Sequence, residues 1–196
     1  DILPVTEGKL PNSYYYTLGR AYAMSANYKY NERLQSREGK VIDVKETEKG
    51  YFAILNGFDG KRTFDSASNN WISSKLRNEL NTRFLKKITD ELGEDAVIEF
   101  DRDLLSMDGQ TEYAHCKDKI SILTVDEYRK YRKILPNMDK WWWLLTPWST
   151  PANDYSTTIT IVSPSGDFNG FNCNFESGVR PVCIFSSSIF ESGNDD

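Results

Sequence analysis

Residues 155–175, YSTTITIVSPSGDFNGFNCNF, decide the fold class. Polar and apolar residues alternate from Thr158 to Ile161, the period of a strand with one buried face. Ile159 and Ile161 are therefore expected on one side and Thr158 and Thr160 on the other. Ser163-Pro164-Ser165-Gly166-Asp167 then reverses the chain, because proline presets φ and glycine permits positive φ. The returning segment, Phe168 to Phe175, reads as a second strand. It places Phe171, Cys173 and Phe175 on one face and Asn172, Asn174 and Glu176 on the other. A last strand, Val179 to Phe185, completes the set.

Working upstream, Trp141-Trp142-Trp143-Leu144-Leu145 is an apolar run closed by Thr146-Pro147. Successive strand side chains alternate, so at least one side of this run belongs to the core. Lys119 to Leu123 reads as a strand, and Thr124-Val125-Asp126-Glu127 is a capping box that starts a short helix carrying Tyr128 and Tyr131, closed before Pro136. Ala96 to Phe100 is strand-like. The clearest helix is expected from an Asn70 cap through Leu92, with Ile72, Leu76, Leu80, Phe84 and Ile88 recurring every four residues and Gly93 at its end. Val41–Val44 and Tyr51–Leu55 flank the polar Glu48-Lys49-Gly50 as a hairpin. Residues 1–40, with Tyr14-Tyr15-Tyr16, Tyr22, Tyr28 and Tyr30, hold no sustained period and read as an irregular lead-in with a short strand or two, packed on a single domain over 41–190. Strands and helices so segregated predict an α+β fold.

Composition bounds the function. A chain of 196 residues is the size of one domain, and 39% hydrophobic with 27% charged residues is ordinary for a globular chain. Aromatic residues reach 13%, and such rings serve cores and recognition surfaces alike. The net charge of −5, with basic residues spread along the chain, offers no footprint for a phosphate backbone, so nucleic acid is not an expected partner. The longest apolar run is far short of a bilayer span, so no membrane insertion is expected. A chain that begins at Asp1, without methionine or an apolar leader, is expected to be a processed protein or an excised fragment.

Three blocks carry a resemblance. Trp142-Trp143-Leu144-Leu145-Thr146-Pro147, then Gly166, then Gly178-Val179-Arg180-Pro181-Val182 resemble an uncharacterised bacterial and phage domain family with the signature W-W-L-R-S-P, G, G-V-R-P-A. Trp71 to Arg77 with Leu80-Asn81 is similar to that family's helix, and Asp118 to Tyr128 to its strand and short helix. The resemblance spans 41–185 and departs at Leu145, where the family tends to carry arginine. It implies a C-type lectin-like fold: a small twisted antiparallel sheet with an irregular ligand face, two helices behind it and long C-terminal loops. It also favours Trp142 and Trp143 as structural. Related domains occur in bacterial surface proteins, phage receptor-binding proteins and the variable proteins of diversity-generating retroelements.

The catalytic inventory is thin. His115, the single histidine, adjoins Cys116, and neighbours in an extended segment face opposite ways, which defeats a dyad. Glu99, Asp101, Asp103, Asp126 and Glu127 are acids by type only. No catalytic residue is assigned, and the chain is read as no enzyme. Zinc spacing is missing. Asp167, Asn169, Asn172, Asn174 and Glu176 offer oxygens to calcium, yet without an EF-hand glycine or the W-N-D triplet of lectin sites a polar strand face accounts for them, and neither metal nor cofactor is assigned.

The positive case is binding. Trp148-Ser149-Thr150-Pro151-Ala152-Asn153-Asp154-Tyr155 mixes large rings with short amides and hydroxyls, the chemistry of paratopes and sugar sites. The expected ligand residues are Trp148, Asn153, Asp154 and Tyr155, extended by Asp167, Phe168, Asn169, Asn172 and Asn174. The expectation is an adhesin or receptor-binding module for a glycan or protein receptor, extracellular on a bacterial cell or phage virion. A carbohydrate-active enzyme and a structural assembly domain are the alternatives. Arg180 is expected to organise loop carbonyls. A tight turn at 177–179 would set Cys173 opposite Cys183 within bridging reach.

Overall fold

The computed structural model describes residues 50–55 and 60–189 in full, and elsewhere only the backbone of five strands within 2–47 and of the helix end at 190–191. Strands β1 (Ile2–Leu10), β2 (Ser13–Leu18), β3 (Ala23–Met24) and β4 (Glu38–Lys40) make one sheet in the order β3-β2-β1-β4, more strand than the irregular lead-in expected from sequence. The β1–β2 pairing runs from Val5 opposite Leu18 to Leu10 opposite Ser13. The expected Val41–Val44 strand lies outside the described residues. In its place β5 (Lys45–Thr47) pairs with β6 (Gly50–Ile54), the two closing with Thr47 opposite Gly50. A Cβ at Gly50 would lie 2.0 Å from the Phe185 carbonyl oxygen, so this approach requires glycine.

After β7 (Arg62–Thr63) comes the long helix, which differs from expectation at both its start and its middle. The Asn70 side chain accepts from the Ile72 N–H at 2.9 Å and caps only a turn. The helix cap is Ser74, whose hydroxyl accepts from the Arg77 N–H, while Asp65 takes the Lys75 N–H at 3.0 Å. Ile72 is left exposed, before the helix begins. Helix α1 (Lys75–Glu79) widens into a π-helical turn at Leu80–Phe84 and continues as α2 (Leu85–Leu92). An apolar spacing of four residues outruns the ~3.6-residue α-turn, and one wide turn absorbs the difference, keeping Leu76 and Leu80 in the core and Phe84, Leu85 and Ile88 against it. Asn81, inside that turn, donates to the Ile120 carbonyl at 2.7 Å and accepts from the Ile120 and Lys119 N–H groups.

Strands β8 (Val97–Ile98), β9 (Phe100–Asp103), β10 (His115–Asp118) and β11 (Ile120–Ile122) lead to α3 (Val125–Tyr131), whose capping box at Thr124 and Glu127 forms as expected. β12 (Trp142–Pro147), β13 (Thr158–Val162) and β14 (Phe168–Asn172) follow, then β15 (Glu176–Ser177), β16 (Pro181–Ser186) and α4 (Ser188–Glu191). Two sheets matter most. One runs β11-β16-β6-β5 with β8 also on β16, and the other runs β12-β13-β14; both are antiparallel. The fold is therefore α+β, built from small antiparallel sheets and two main helices.

β12 explains the tryptophan run. It is buried on both faces, with Trp143 in the cluster around Phe64, Trp71 and Leu80 and Trp142 in a second cluster with Tyr128 and Leu144. The strand extends through Thr146-Pro147, beyond the stop expected there. Leu145 is fully buried among the first cluster. Gly178 crosses from the next segment, donating to the Trp141 carbonyl at 2.7 Å and accepting from the Trp143 N–H at 3.0 Å. Arg180 is buried, lies over the Trp142 ring at 4.8 Å and donates to the Pro136 carbonyl at 2.9 Å, one carbonyl where several were expected.

Three expectations about the C-terminal segment are corrected. β14 ends at Asn172, and a turn at 173–174 buries Cys173 while Phe171 and Phe175 meet edge to face outside at 4.7 Å. Cys173 and Cys183 are free and do not face each other. Residues after the turn form β15, which pairs with β7, so no tight turn joins β14 to β16, and Cys183 sits opposite Ala53 and Ile120. The last strand also starts two residues later than expected, at Pro181.

Candidate functional site

The loop from Trp148 to Tyr155 is held by two side chains far away in sequence, one beneath it and one on its outer side. Asn69, fully buried, donates its amide to the carbonyls of Ser149, Tyr155 and Thr158 at 2.9, 2.8 and 2.7 Å. Its backbone N–H adds a bond to the Ser156 carbonyl at 2.7 Å. On the outer side Asp108 gathers the Ser106 hydroxyl at 2.5 Å, the Ser149 hydroxyl at 2.6 Å and the Asn153 amide at 3.1 Å. These donors, the Ser106 hydroxyl first, hold the Asp108 carboxyl at about 2, well below the ordinary 3.8. Glu112 receives the Ala152 N–H at 3.2 Å. A short 3-10 turn, Pro151–Asn153, ends with Asp154 in the left-handed region at φ 59°, a conformation aspartate tolerates better than most residues.

The expected ligand residues divide by what their side chains already do. Trp148 and Tyr155 are open, 37% and 51% exposed, and Asp154 and Asn174 are exposed as well. Asn153 is exposed but spends its amide on Asp108. Asp167 accepts from the Ser165 hydroxyl and donates its N–H to Ser163, closing its own turn. Asn172 accepts from the Asn174 N–H at 3.2 Å, and Asn169 from the Gly170 N–H at 2.8 Å. Phe168, half-buried, packs edge to face on Tyr128 at 5.3 Å beneath the Arg129 guanidinium and so also anchors the strand.

The structure also splits the expected surface in two. In the β13–β14 pair Ile159 faces Phe171, Thr160 faces Gly170 and Ile161 faces Asn169. Strand alternation therefore puts Asn169 and Phe171 on one face of β14 and Phe168, Gly170 and Asn172 on the other. The Trp148 ring lies on that second face, so close that a Cβ at Gly170 would meet its Cε3 at 2.8 Å. The first face borders a cleft of about 490 Å³ lined by Trp141, Ile161 and Phe171 among others. The sequence carried no signal for Asn69 or Asp108, because the contacts that matter cross up to 89 residues of chain. Trp141 was hidden by its neighbours, two buried tryptophans in the same run.

The titratable inventory near His115 matches the alternation argument. His115 points outward, 3.9 Å from Asp103, while Cys116 turns inward toward Asp118. Burial first, and then the Asp118 charge, push the Cys116 thiol up to about 11. Asp118 is itself consumed by the Trp71 indole at 2.6 Å and Arg77 at 2.7 Å. Among the described residues no group of three or more His, Cys, Asp or Glu side chains could hold a metal ion, and no helix is long and apolar enough to cross a membrane.

A family model described as Domain of unknown function (DUF6273) matches residues 51–187, well over half of the chain. The comparison with curated proteins finds no match, and neither does the comparison with solved structures.

Proposed function

The chain belongs to the DUF6273 family, and from that premise we propose that it is a recognition module, an adhesin or receptor-binding domain on a C-type lectin-like scaffold, taking a glycan or protein receptor through its C-terminal loops. One observation carries the reading. The Trp148–Tyr155 loop is fixed in its backbone by Asn69 and through its Ser149 and Asn153 side chains by Asp108, yet it leaves the Trp148 and Tyr155 rings open to solvent. A backbone that is already ordered loses little entropy when a partner binds, and large rings give contact area at low rotamer cost. An ordinary surface loop has no need of a buried asparagine tying together its carbonyls at 149, 155 and 158.

We further propose that the domain works on a bacterial surface or a virion, a reading that rests on the resemblance carried by Trp142–Pro147 and residues 178–182. No catalytic role is assigned: Asp108 and Glu112 serve as loop anchors. A screen of immobilised glycans and whole-cell surfaces with wild type, Trp148→Ala and Tyr155→Ala tests the reading. The expected result is a ligand whose binding falls at least tenfold in both variants while thermal unfolding is unchanged. Equal binding by all three proteins would remove the loop from the site.

A further inference from the structure

The cleft beside the first face of β14 stands apart from the Trp148–Tyr155 loop. Its volume of about 490 Å³ lies within the ~300–1,000 Å³ typical of small-ligand sites. Trp141 and Phe171 form its aromatic walls, 41% and 40% exposed, and Ile161 of the middle strand β13 also lines it. Lys61, Lys140, Asp139 and Glu176 also line it, two cations and two anions. Among the described residues none of these four charged groups has a side-chain hydrogen bond or an ion-pair partner.

We propose that this cleft is a binding site for a neutral saccharide. The charges balance, so a strongly anionic or cationic ligand would meet one repelling pair for each attracting pair. An apolar ligand would strip water from four unpaired charges without replacing its hydrogen bonds. A sugar ring avoids both costs. Its hydroxyls donate to the carboxylates of Asp139 and Glu176 and accept from the ammonium groups of Lys61 and Lys140, and its apolar C–H face lies against Trp141 or Phe171.

The walls are held in place before any ligand arrives. Gly178 bonds through its N–H to the Trp141 carbonyl at 2.7 Å, and a Cβ there would crowd Lys140 Cγ and the Trp141 oxygen, both at 3.1 Å. The glycine of the Gly178-Val179-Arg180-Pro181 block therefore sets the position of two cleft residues as well as the strand crossing.

The test uses the whole chain on an array of neutral, uronate-bearing and sulfated oligosaccharides, followed by calorimetric titration of the best binder. Neutral oligosaccharides are expected to bind. Trp141→Ala and Phe171→Ala should each weaken them at least tenfold, and Glu176→Gln, a surface change that leaves packing alone, several-fold. Lys87→Ala, exposed on α2 and outside the cleft lining, should leave this affinity within twofold. Retention only of charged saccharides, no saccharide binding at all, or full affinity in Trp141→Ala and Phe171→Ala would each overturn the proposal. Loss of binding in Trp148→Ala with none in Trp141→Ala would overturn it too, while upholding the loop as the recognition surface.

Discussion

Tyr113 donates its hydroxyl hydrogen to Asn69 Oδ1 across 2.7 Å of buried space, and this one bond fixes which way the Asn69 amide points. With the oxygen occupied, the NH2 end is aimed at three carbonyls of the recognition loop. Asn69→Ala strands those buried acceptors and is expected to cost about 3 kcal/mol. Tyr113→Phe removes only the orienting bond and is expected to cost about 1 kcal/mol. Urea midpoints of the two variants check the order, and equal losses would show that Tyr113 does not orient the amide.

Asp108 ties the outer side of the same loop, and its titration is a readout of that anchor. Its folded value of about 2 lies below the ordinary 3.8, so its contribution is complete above pH 3.8 and is lost as pH falls through about 2. The Asn153 side-chain amide resonances, bonded to Asp108, are expected to shift with that midpoint. A midpoint near the ordinary carboxylate value would mean that the Ser106 and Ser149 hydroxyls do not hold the carboxyl in solution.

Arg102 and Glu127 form a two-armed ion pair, NH1 to Oε1 at 2.6 Å and NH2 to Oε2 at 2.7 Å, with the same NH2 on the Ile122 carbonyl at 2.8 Å. Burial pushes the Glu127 carboxyl up, but the Arg102 bonds and charge and the Thr124 cap outweigh it and hold the group below its ordinary 4.5. Its stabilisation is therefore present above that value and lost as pH falls through the lower folded one. Glu127→Ala breaks the pair and the cap together and leaves Arg102 buried alone, an expected loss of about 3–5 kcal/mol. Denaturant titration at neutral pH reads it directly.

Gly93 and Gly166 separate strain from crowding. Both have positive φ, 97° and 93°, but Gly93 has open space where a Cβ would go, whereas Gly166 would meet the Arg132 guanidinium at 2.0 Å. Gly93→Ala is expected to cost about 1–2 kcal/mol from backbone strain alone. Gly166→Ala should cost more, and trimming the obstacle with Arg132→Ala should return it toward the Gly93 value. A double-mutant cycle measures the difference.

All three thiols are expected to be reduced. Burial pushes Cys183 up to about 12 and, with Asp118, Cys116 up to about 11. Native protein should therefore react slowly with a maleimide, and protein unfolded without reductant should take three labels. Two missing labels would restore a disulfide.

Several features were legible from the chain because their causes are local. The Thr124 capping box needs only residues three apart, the turn at Ser163–Asp167 needs proline and glycine in order, and the Ile159–Ile161 alternation needs only a strand's period. The helix register was read nearly right, but its start was misplaced because Asn70 and Ser74 are both good caps and the choice belongs to Asp65, which takes the Lys75 N–H. The Cys173–Cys183 pairing failed for a similar reason: the connection after β14 is claimed by β7, a strand more than a hundred residues upstream.

By itself the sequence determined the α+β class, the α3 cap, the reversing turn at Gly166 and the polar, ring-rich character of the last third, because each follows from neighbours within a turn or a strand pair. Only the tertiary structure decided that Trp142 and Trp143 are core while Trp141 opens onto a cleft, and that β14 offers two separate faces. It alone brought Asn69 beneath the loop and Asp108 to its outer side. Those outcomes depend on which distant segment fills the space beside each side chain, and that is settled by packing and long-range hydrogen bonding, which local pattern does not record.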